Sequence, residues 1–302
     1  VTSSDGATTR LGRQSRETVA AVVLLLPAIA LLVVFFAWPV LQAIWLGFTR
    51  WDGFGDPKWI GIDNYVRMLD DEAFQTAVFN NLKILLAVPI WVALPFLVAS
   101  AIHDRVGGSR AFRLAFFFPA ILSTVVVGVF WGILLRDDGP VNEALRAVGL
   151  GGLAQPWLAQ TSTALPVVIA IIIWASFGIG VVIFLAALGT LDQDQLDAAQ
   201  VDGAGWWRTQ WHIIVPEVRP VIEFYTVIVV ITVFTGIFPI IYTLTAGGPG
   251  YSTLVLEYDI YREAFANGSL GYASAIGVVL FLMVTLIASV GIRVMRQPAG
   301  RS

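Results

Sequence analysis

The chain has no cysteine and only two histidines in 302 residues. Without cysteine there is no disulfide, no zinc-thiolate centre and no thiol nucleophile. His103 and His212 share no motif with another ligand. They read as solvated residues at a membrane edge rather than as a metal pair or part of a Ser-His-Asp triad. The only lysines, Lys58 and Lys83, lack the G-x-x-x-x-G-K-[ST] frame in which a lysine reaches nucleotide phosphates. The chain therefore carries no P-loop ATPase. Charge is scarce as well. Asp, Glu, Lys and Arg make up 13% of the residues, against roughly 25% in a soluble domain. The formal net charge of −3 offers no basic field for a phosphate backbone, so no nucleic-acid partner is expected.

What is abundant is apolar. Hydrophobic residues make up 57% of the chain and the mean hydropathy is +0.80. That composition excludes an ordinary water-soluble enzyme and a disordered chain, and leaves an all-α integral membrane protein. A crossing helix needs roughly 20 mostly apolar residues. Six stretches qualify: Val19–Phe48, Val78–Ile102, Phe112–Leu135, Leu165–Leu188, Pro220–Leu244 and Gly271–Ile292. They are continuous rather than alternating runs, and hydrocarbon cannot satisfy free backbone groups, so helices rather than barrel strands are expected. The first run is too long for a secretory signal core, and no small-residue cleavage site stands out.

Arg and Lys set the orientation. One face takes Arg10, Arg13, Arg16, Arg105, Arg110, Arg113, Arg208, Arg219, Arg293, Arg296 and Arg301. The other takes Arg50, Lys58, Arg67, Arg136, Arg146 and Arg262. Eleven against six predicts both termini in the cytoplasm. The expected organisation is a cytoplasmic tail over 1–18, one membrane domain over 19–292 and a second tail over 293–302. The outer connections 49–77, 136–164 and 245–270 are long enough for short helices.

One cytoplasmic connection, about 189–219, has a pattern. Thr190 or Asp192 can cap a short helix whose acids face the positive end of its dipole. Asp197-Ala198-Ala199 supplies small side chains, and Leu196, Ala199 and Gly203 fall on one side at helical spacing. Gly203 and Gly205 stop the helix. Trp206, Trp207 and Trp211 with Arg208 suit a membrane interface. Pro216 and Pro220 are expected to start the fifth membrane helix. Such a rigidly tied helix can pass a push from a soluble partner into the bundle. The alternative is a helix parked on lipid headgroups.

The segment Asp197-Ala-Ala…Asp202-Gly203-Ala204…Ile213-Ile214-Val215-Pro216 resembles the EAA loop of binding-protein-dependent ABC importer permeases. Asp197 stands where that family usually has Glu, Val215 where it has Leu, and Asp192 where Pro is frequent. Leu244-Thr-Ala-Gly-Gly-Pro249, Leu256–Phe265, Gly271-Tyr-Ala-Ser-Ala275 and Trp59-Ile-Gly-Ile-Asp-Asn-Tyr65 are similar to the first permease subunit of the carbohydrate-uptake branch. The resemblance runs from about residue 20 to 296. It implies a type I importer permease (MetI-like) fold in a bacterial cytoplasmic membrane. It also implies a non-catalytic subunit with no cofactor of its own. The implied partners are a second permease subunit, an ATP-binding cassette ATPase dimer that binds ATP and Mg, an extracytoplasmic solute-binding protein and the lipid bilayer. Asp197, Ala198, Ala199, Asp202, Gly203, Ala204 and Pro216 would couple to the ATPase, and a bulky residue at Gly203 would block docking.

A sugar path needs hydroxyls and aromatic faces inside the bundle. Thr124, Trp174, Ser176, Phe177, Thr232 and Phe234 are the candidates, with Trp131 and Tyr242 nearer the outer end. Hydroxyls in membrane helices often bond their own backbone, which is the competing role. Gly128 and Gly132 form a G-x-x-x-G that lets a neighbouring helix approach. Glu223 reads as an i,i+4 partner of Arg219 rather than as a transport acid, and Lys83 as a snorkelling residue. An ion-coupled secondary transporter would need a mid-span acid, and an intramembrane enzyme a nucleophile and base at matching depth; neither pattern is present.

Overall fold

The computed structural model describes residues 22–103 and 118–295. The N-terminal tail, the connection carrying Arg105, Arg110 and Arg113, and the C-terminal Arg296 and Arg301 lie outside the described residues.

Helix α1 is Val22–Leu46, with a π-helical stretch at Val33–Ala37. It leads into a two-residue hairpin, β1 (Thr49–Arg50) against β2 (Lys58–Trp59), in which Thr49 pairs with Trp59. Next come α2 (Asp63–Asp70), α3 (Glu72–Leu86) and α4 (Val88–His103). Helix α5 is Thr124–Leu134 and α6 is Pro140–Ala147. Helix α7 is Thr161–Leu188 and α8 is Gln193–Val201. Helix α9 runs Trp206–Thr235, α10 is Phe238–Leu244, and α11 is Leu256–Tyr261 extended by a π-helical turn Arg262–Ala266. Helix α12 is Leu270–Met295.

Among the described residues, five helices are long and apolar enough to cross a membrane: α1, the α3–α4 pair, α7, α9 and α12. Three expected spans differ most in their bounds. The second begins at Glu72 rather than Val78, because the Asp71 carboxylate caps the N–H groups of Ala73 and Phe74 at 2.9 and 3.3 Å. In the third, residues 112–117 lie outside the described residues. The rest of that span is interrupted at Ser123, whose ψ of 139° breaks the helical ladder, so α5 has only 11 residues. The fifth begins at Trp206, fourteen residues before the expected start. Pro216 and Pro220 sit within it, and the widened π turn Gln210–Ile214 just ahead of Pro216 absorbs the missing backbone bond. It ends at Gly236, and Pro239 occupies the first turn of α10.

The core lies between α4, α7 and α9. Phe184 stacks edge-on against Phe96 at 5.5 Å and Tyr225 at 5.2 Å, all three buried. Helix α10 packs on α5 at Gly128, where a Cβ would fall 1.8 Å from the Thr243 Oγ1. Gly132 leaves more room, its nearest neighbour being 3.8 Å away. Helix α1 touches α12 through its last turns only, and its first five turns are exposed around the whole circumference. An all-apolar exposed helix needs lipid or another membrane helix around it.

Candidate functional site

Helix α8 is built by local chemistry. The Asp192 carboxylate accepts the Asp194 N–H at 3.0 Å and caps the first turn. The Thr190 hydroxyl instead donates to the Ala187 carbonyl at 2.7 Å, closing α7. At the other end Gly203 N–H bonds Gln200 O (3.0 Å) and Ala204 N–H bonds Ala199 O (2.9 Å). That reciprocal pattern is a Schellman motif, and Gly203 takes the left-handed φ of +75° it requires.

Leu196 and Ala199 are buried against the bundle. Gly203 is exposed, although helical spacing places it on their side; the left-handed turn rotates it outward. Asp197, Ala198 and Asp202 are exposed too, Ala204 is half-buried, and Pro216 is exposed within α9, just after its π turn. Ala198, Asp202 and Gly203 thus face outward, Ala199 is buried beneath them, and Asp197 and Ala204 border the inner side of α8. Behind α8 lies a cleft of about 600 Å³ lined by His103, Asp197, Gln200, Trp206, Thr209 and Gln210. The Gln210 side chain is 2% exposed and its Oε1 has no hydrogen-bond partner. His212 contacts the Arg208 carbonyl through Nδ1 at 3.1 Å. Among the described residues no cluster of three metal-ligating side chains forms.

The cargo candidates do not converge. Trp174 and Phe177 line an apolar groove of about 580 Å³ between α4 and α7, with Pro119 at its edge. The Trp174 ring meets Trp131 edge-on at 5.3 Å. The Ser176 hydroxyl donates to Ile172 O at 2.9 Å and that of Thr232 to Ile228 O at 2.9 Å, each on its own helix. Thr124 is exposed at the start of α5, and Phe234 is wholly buried.

The opposite end of α9 holds groups that sequence reasoning missed. Asn81 on α3 donates to Val233 O (2.8 Å) and accepts from Leu256 N–H (2.9 Å). Asn80 donates to Tyr251 O and Leu254 O at 3.0 and 2.9 Å. Both are buried. Two adjacent asparagines in an apolar run were the signal, since a buried amide must find partners. Together they fix α11 over the break at Gly236. Glu257 on α11 then accepts the N–H groups of Ile237 and Phe238 at 3.0 and 2.9 Å. Burial pushes its pKa up to about 7, the two N–H bonds opposing. Deeper in α11, buried Asp259 accepts from Arg262 at 2.7 Å, and Glu263 faces Arg67 at 3.6 Å. Burial raises Asp259 to about 6 against the pull of Arg262.

The sequence and the fold have counterparts among known proteins. Residues 71–297 match the family described as binding-protein-dependent transport system inner membrane component. The probable ABC transporter permease protein YurN of Bacillus subtilis is 32% identical over 270 residues, spanning 88% of this chain and 91% of that one. The diacetylchitobiose uptake system permease protein NgcF of Streptomyces coelicolor is 30% identical, spanning 90% of this chain and 81% of that one. A crystal structure of a bacterial ABC transporter involved in the import of the acidic polysaccharide alginate superposes with a TM-score of 0.82 at 25% identity. It covers 96% of this chain and 100% of its own. A mostly helical permease fold, several apolar helices and a family match over three quarters of the sequence lead to one conclusion: the chain is a multi-pass membrane protein of the binding-protein-dependent transport system inner membrane component family.

Proposed function

We propose that this chain is a non-catalytic permease subunit of an ATP-driven importer for a sugar or sugar derivative. It supplies half of the translocation path and pairs with a second permease. Six crossings over 19–292, with the tails 1–18 and 293–302 in the cytoplasm, place the 189–219 loop against a separate ATPase dimer that holds ATP and Mg. A solute-binding protein delivers cargo on the other side. The names of the diacetylchitobiose and alginate systems support a saccharide as cargo.

The observation that carries the reading is the outward face of α8 on a helix held rigidly at both ends. Ala198, Asp202 and Gly203 are exposed on the side away from the bundle, Asp197 borders the cleft behind the helix, and Leu196 and Ala199 are buried on its inner side. Four residues, Asp202 to Gly205, join α8 to α9. Helix α9 then runs 30 residues without a break, about 45 Å at 1.5 Å per residue. ATPase closure that displaces α8 therefore moves one continuous rod whose far end is the Gly236 break. This is rigid-body alternating access.

The absence of cysteine makes the test direct. Ala198→Cys and Asp202→Cys are each the sole thiol in the chain, on exposed positions. Both are expected to cross-link to the ATPase subunit in purified importer, with a yield that changes when ATP is bound. Labelling by lipid-phase reagents alone, with no ATPase adduct, would defeat the proposal. Gly203 is a poorer probe, because any side chain there strains a backbone at φ +75° whether or not a partner docks.

A further inference from the structure

Five aromatic side chains at the Gly236 end of α9 touch in series, and none of them is buried. Phe238 and Tyr242 lie one turn apart on α10 and stack at 5.6 Å. Tyr258, Tyr261 and Phe265 lie along α11 and its π turn, with neighbouring rings 6.1 and 5.2 Å apart. The two rows meet through Phe238–Tyr258 at 6.1 Å and Tyr242–Tyr261 at 5.4 Å. Tyr242 is 47% exposed and Phe265 75%. A cluster of this size in a core would be sealed over, and a membrane-interface belt would be scattered around the bundle rather than gathered on two short helices. The series leads from Phe265 at the exposed rim down to Phe238. There a groove of about 470 Å³ opens at the helix break, lined by Thr235, Gly236, Phe238, Pro239 and Glu257.

We propose that this series of rings is a saccharide-stacking ledge that guides sugar rings to the Gly236 break, and that Glu257 reserves the break for sugars without an anionic group. The proposal rests on the sugar reading above and deepens it. The C–H face of a pyranose is a weak positive surface that fits the negative face of an aromatic ring, and the phenol groups can exchange hydrogen bonds with sugar hydroxyls. A continuous row of rings suits an oligosaccharide, which presents one such face per residue. Among the described residues, the Glu257 carboxylate is met by two backbone N–H groups and by no Arg or Lys. Above about pH 7, where Glu257 is ionised, a uronate or phosphate brought to the same groove would face that carboxylate with no cation among the described residues to offset it. The ledge therefore favours neutral or N-acetylated saccharides over uronates such as those of alginate.

Saturation-transfer difference NMR on the complete importer in nanodiscs, without its binding protein, tests this. The probes are maltotetraose, N-acetylchitotetraose and mannuronate tetramer. Aromatic irradiation is expected to transfer to the two neutral tetramers. The Tyr242→Ala/Tyr261→Ala variant should weaken their apparent affinity roughly tenfold, the scale of two lost ring contacts, while the Phe pair keeps it. Glu257→Gln, which still accepts from backbone, should bring the mannuronate signal up towards that of the neutral probes. Unchanged neutral affinity in the Ala pair overturns the ledge, as does loss of the second permease on purification, which would make the rings a subunit contact. An unmodified importer that moves a saccharide into proteoliposomes yet shows no transfer to either neutral tetramer also overturns it. An importer that moves a non-sugar solute and no saccharide defeats the sugar reading itself.

Discussion

At the α8 end the groups that matter are exposed and bonded within a few residues of themselves: Asp192 to Asp194, Gly203 to Gln200, Gln193 to Asp197. At the Gly236 end they are buried and bonded across the chain. Asn80 reaches Tyr251 and Leu254, Asn81 reaches Val233 and Leu256, and the Tyr272 hydroxyl donates to Asp71 at 2.7 Å. Under the proposed docking on α8, locally bonded structure lets a partner bind without disturbing the bundle. Under the proposed motion of α9, long-range polar clamps hold the other end in shape. The two ends should therefore respond to substitution in opposite ways.

The sharpest contrast comes from Asn81→Leu. It strands the Leu256 N–H and the Val233 carbonyl in a buried site. At about 1–3 kcal/mol for each unsatisfied group the expected loss is about 2–6 kcal/mol. It should appear as a large fall in the thermal midpoint of the purified importer, with transport lost in proportion. Ala198→Asp at the other end should leave that midpoint unchanged and abolish retention of the ATPase. If both variants lower stability alike, the division between a docking end and a clamped end is wrong.

The next effect concerns the joint between α5 and α10. Gly128→Ala places a methyl where Thr243 Oγ1 already sits, and that hydroxyl is held by a 2.7 Å bond to Pro239 O. Overpacking of this kind costs about 1–3 kcal/mol. Thr243→Ala in the same chain should restore part of it, so a double-mutant cycle on unfolding stability checks the contact directly. Gly132→Ala, with free space around it, should cost less.

These contrasts also explain what could be seen in the sequence. The α8 cap, the Schellman stop and the buried Leu196–Ala199 face were legible because the partners are two to five residues apart. Five of the expected apolar spans were legible because length and hydropathy decide them, whereas the interruption of the third at Ser123 was not. The true start of α9 was hidden, since Pro216 and Pro220 read as a beginning and only the π turn at Gln210–Ile214 lets a helix run through them. The asparagine clamps pair residues more than 150 positions apart, and nothing in a single sequence joins Asn81 to Val233. The ring series was hidden for the same reason. Phe238 and Tyr242 look like ordinary membrane aromatics until α11 is laid across them. Residue type alone does not reveal that Ser176 and Thr232 spend their hydroxyls on their own helices.

Proton uptake gives a smaller and reversible handle on the clamped end. Burial raises Glu257 to about 7 and Asp259 to about 6, from ordinary values of 4.5 and 3.8. A carboxyl raised on folding binds its proton more tightly when folded. The stabilisation from protonation is complete below the ordinary value and is lost as pH rises through about 6 and then about 7. Amide exchange over 256–266, corrected for its intrinsic pH dependence, should therefore slow between pH 8 and pH 5.5. Glu257→Gln should remove the upper part of that change. Loss of protection on acidification would mean that Arg67 and Arg262, not burial, govern this corner.

The smallest effect is expected where a membrane acid would ordinarily draw the most suspicion. Glu223 lies in α9 and accepts from Arg219 Nε at 2.6 Å, with side chains 26% and 46% exposed. Buried acids in membrane helices carry protons or bind cargo. This one sits near the α8 end of the rod, four residues from its cation on the same helix face, and water screens what attraction remains. Exposed pairs of this kind contribute about 0–1 kcal/mol. Arg219→Gln and Glu223→Gln should each shift the unfolding midpoint slightly, and sugar uptake and ATPase coupling should stay near the unsubstituted level. Were Glu223→Gln to stop uptake while leaving stability and ATPase retention intact, the acid would be part of the path. The rod would then carry chemistry as well as motion, and the contrast between the two ends would need a third site between them.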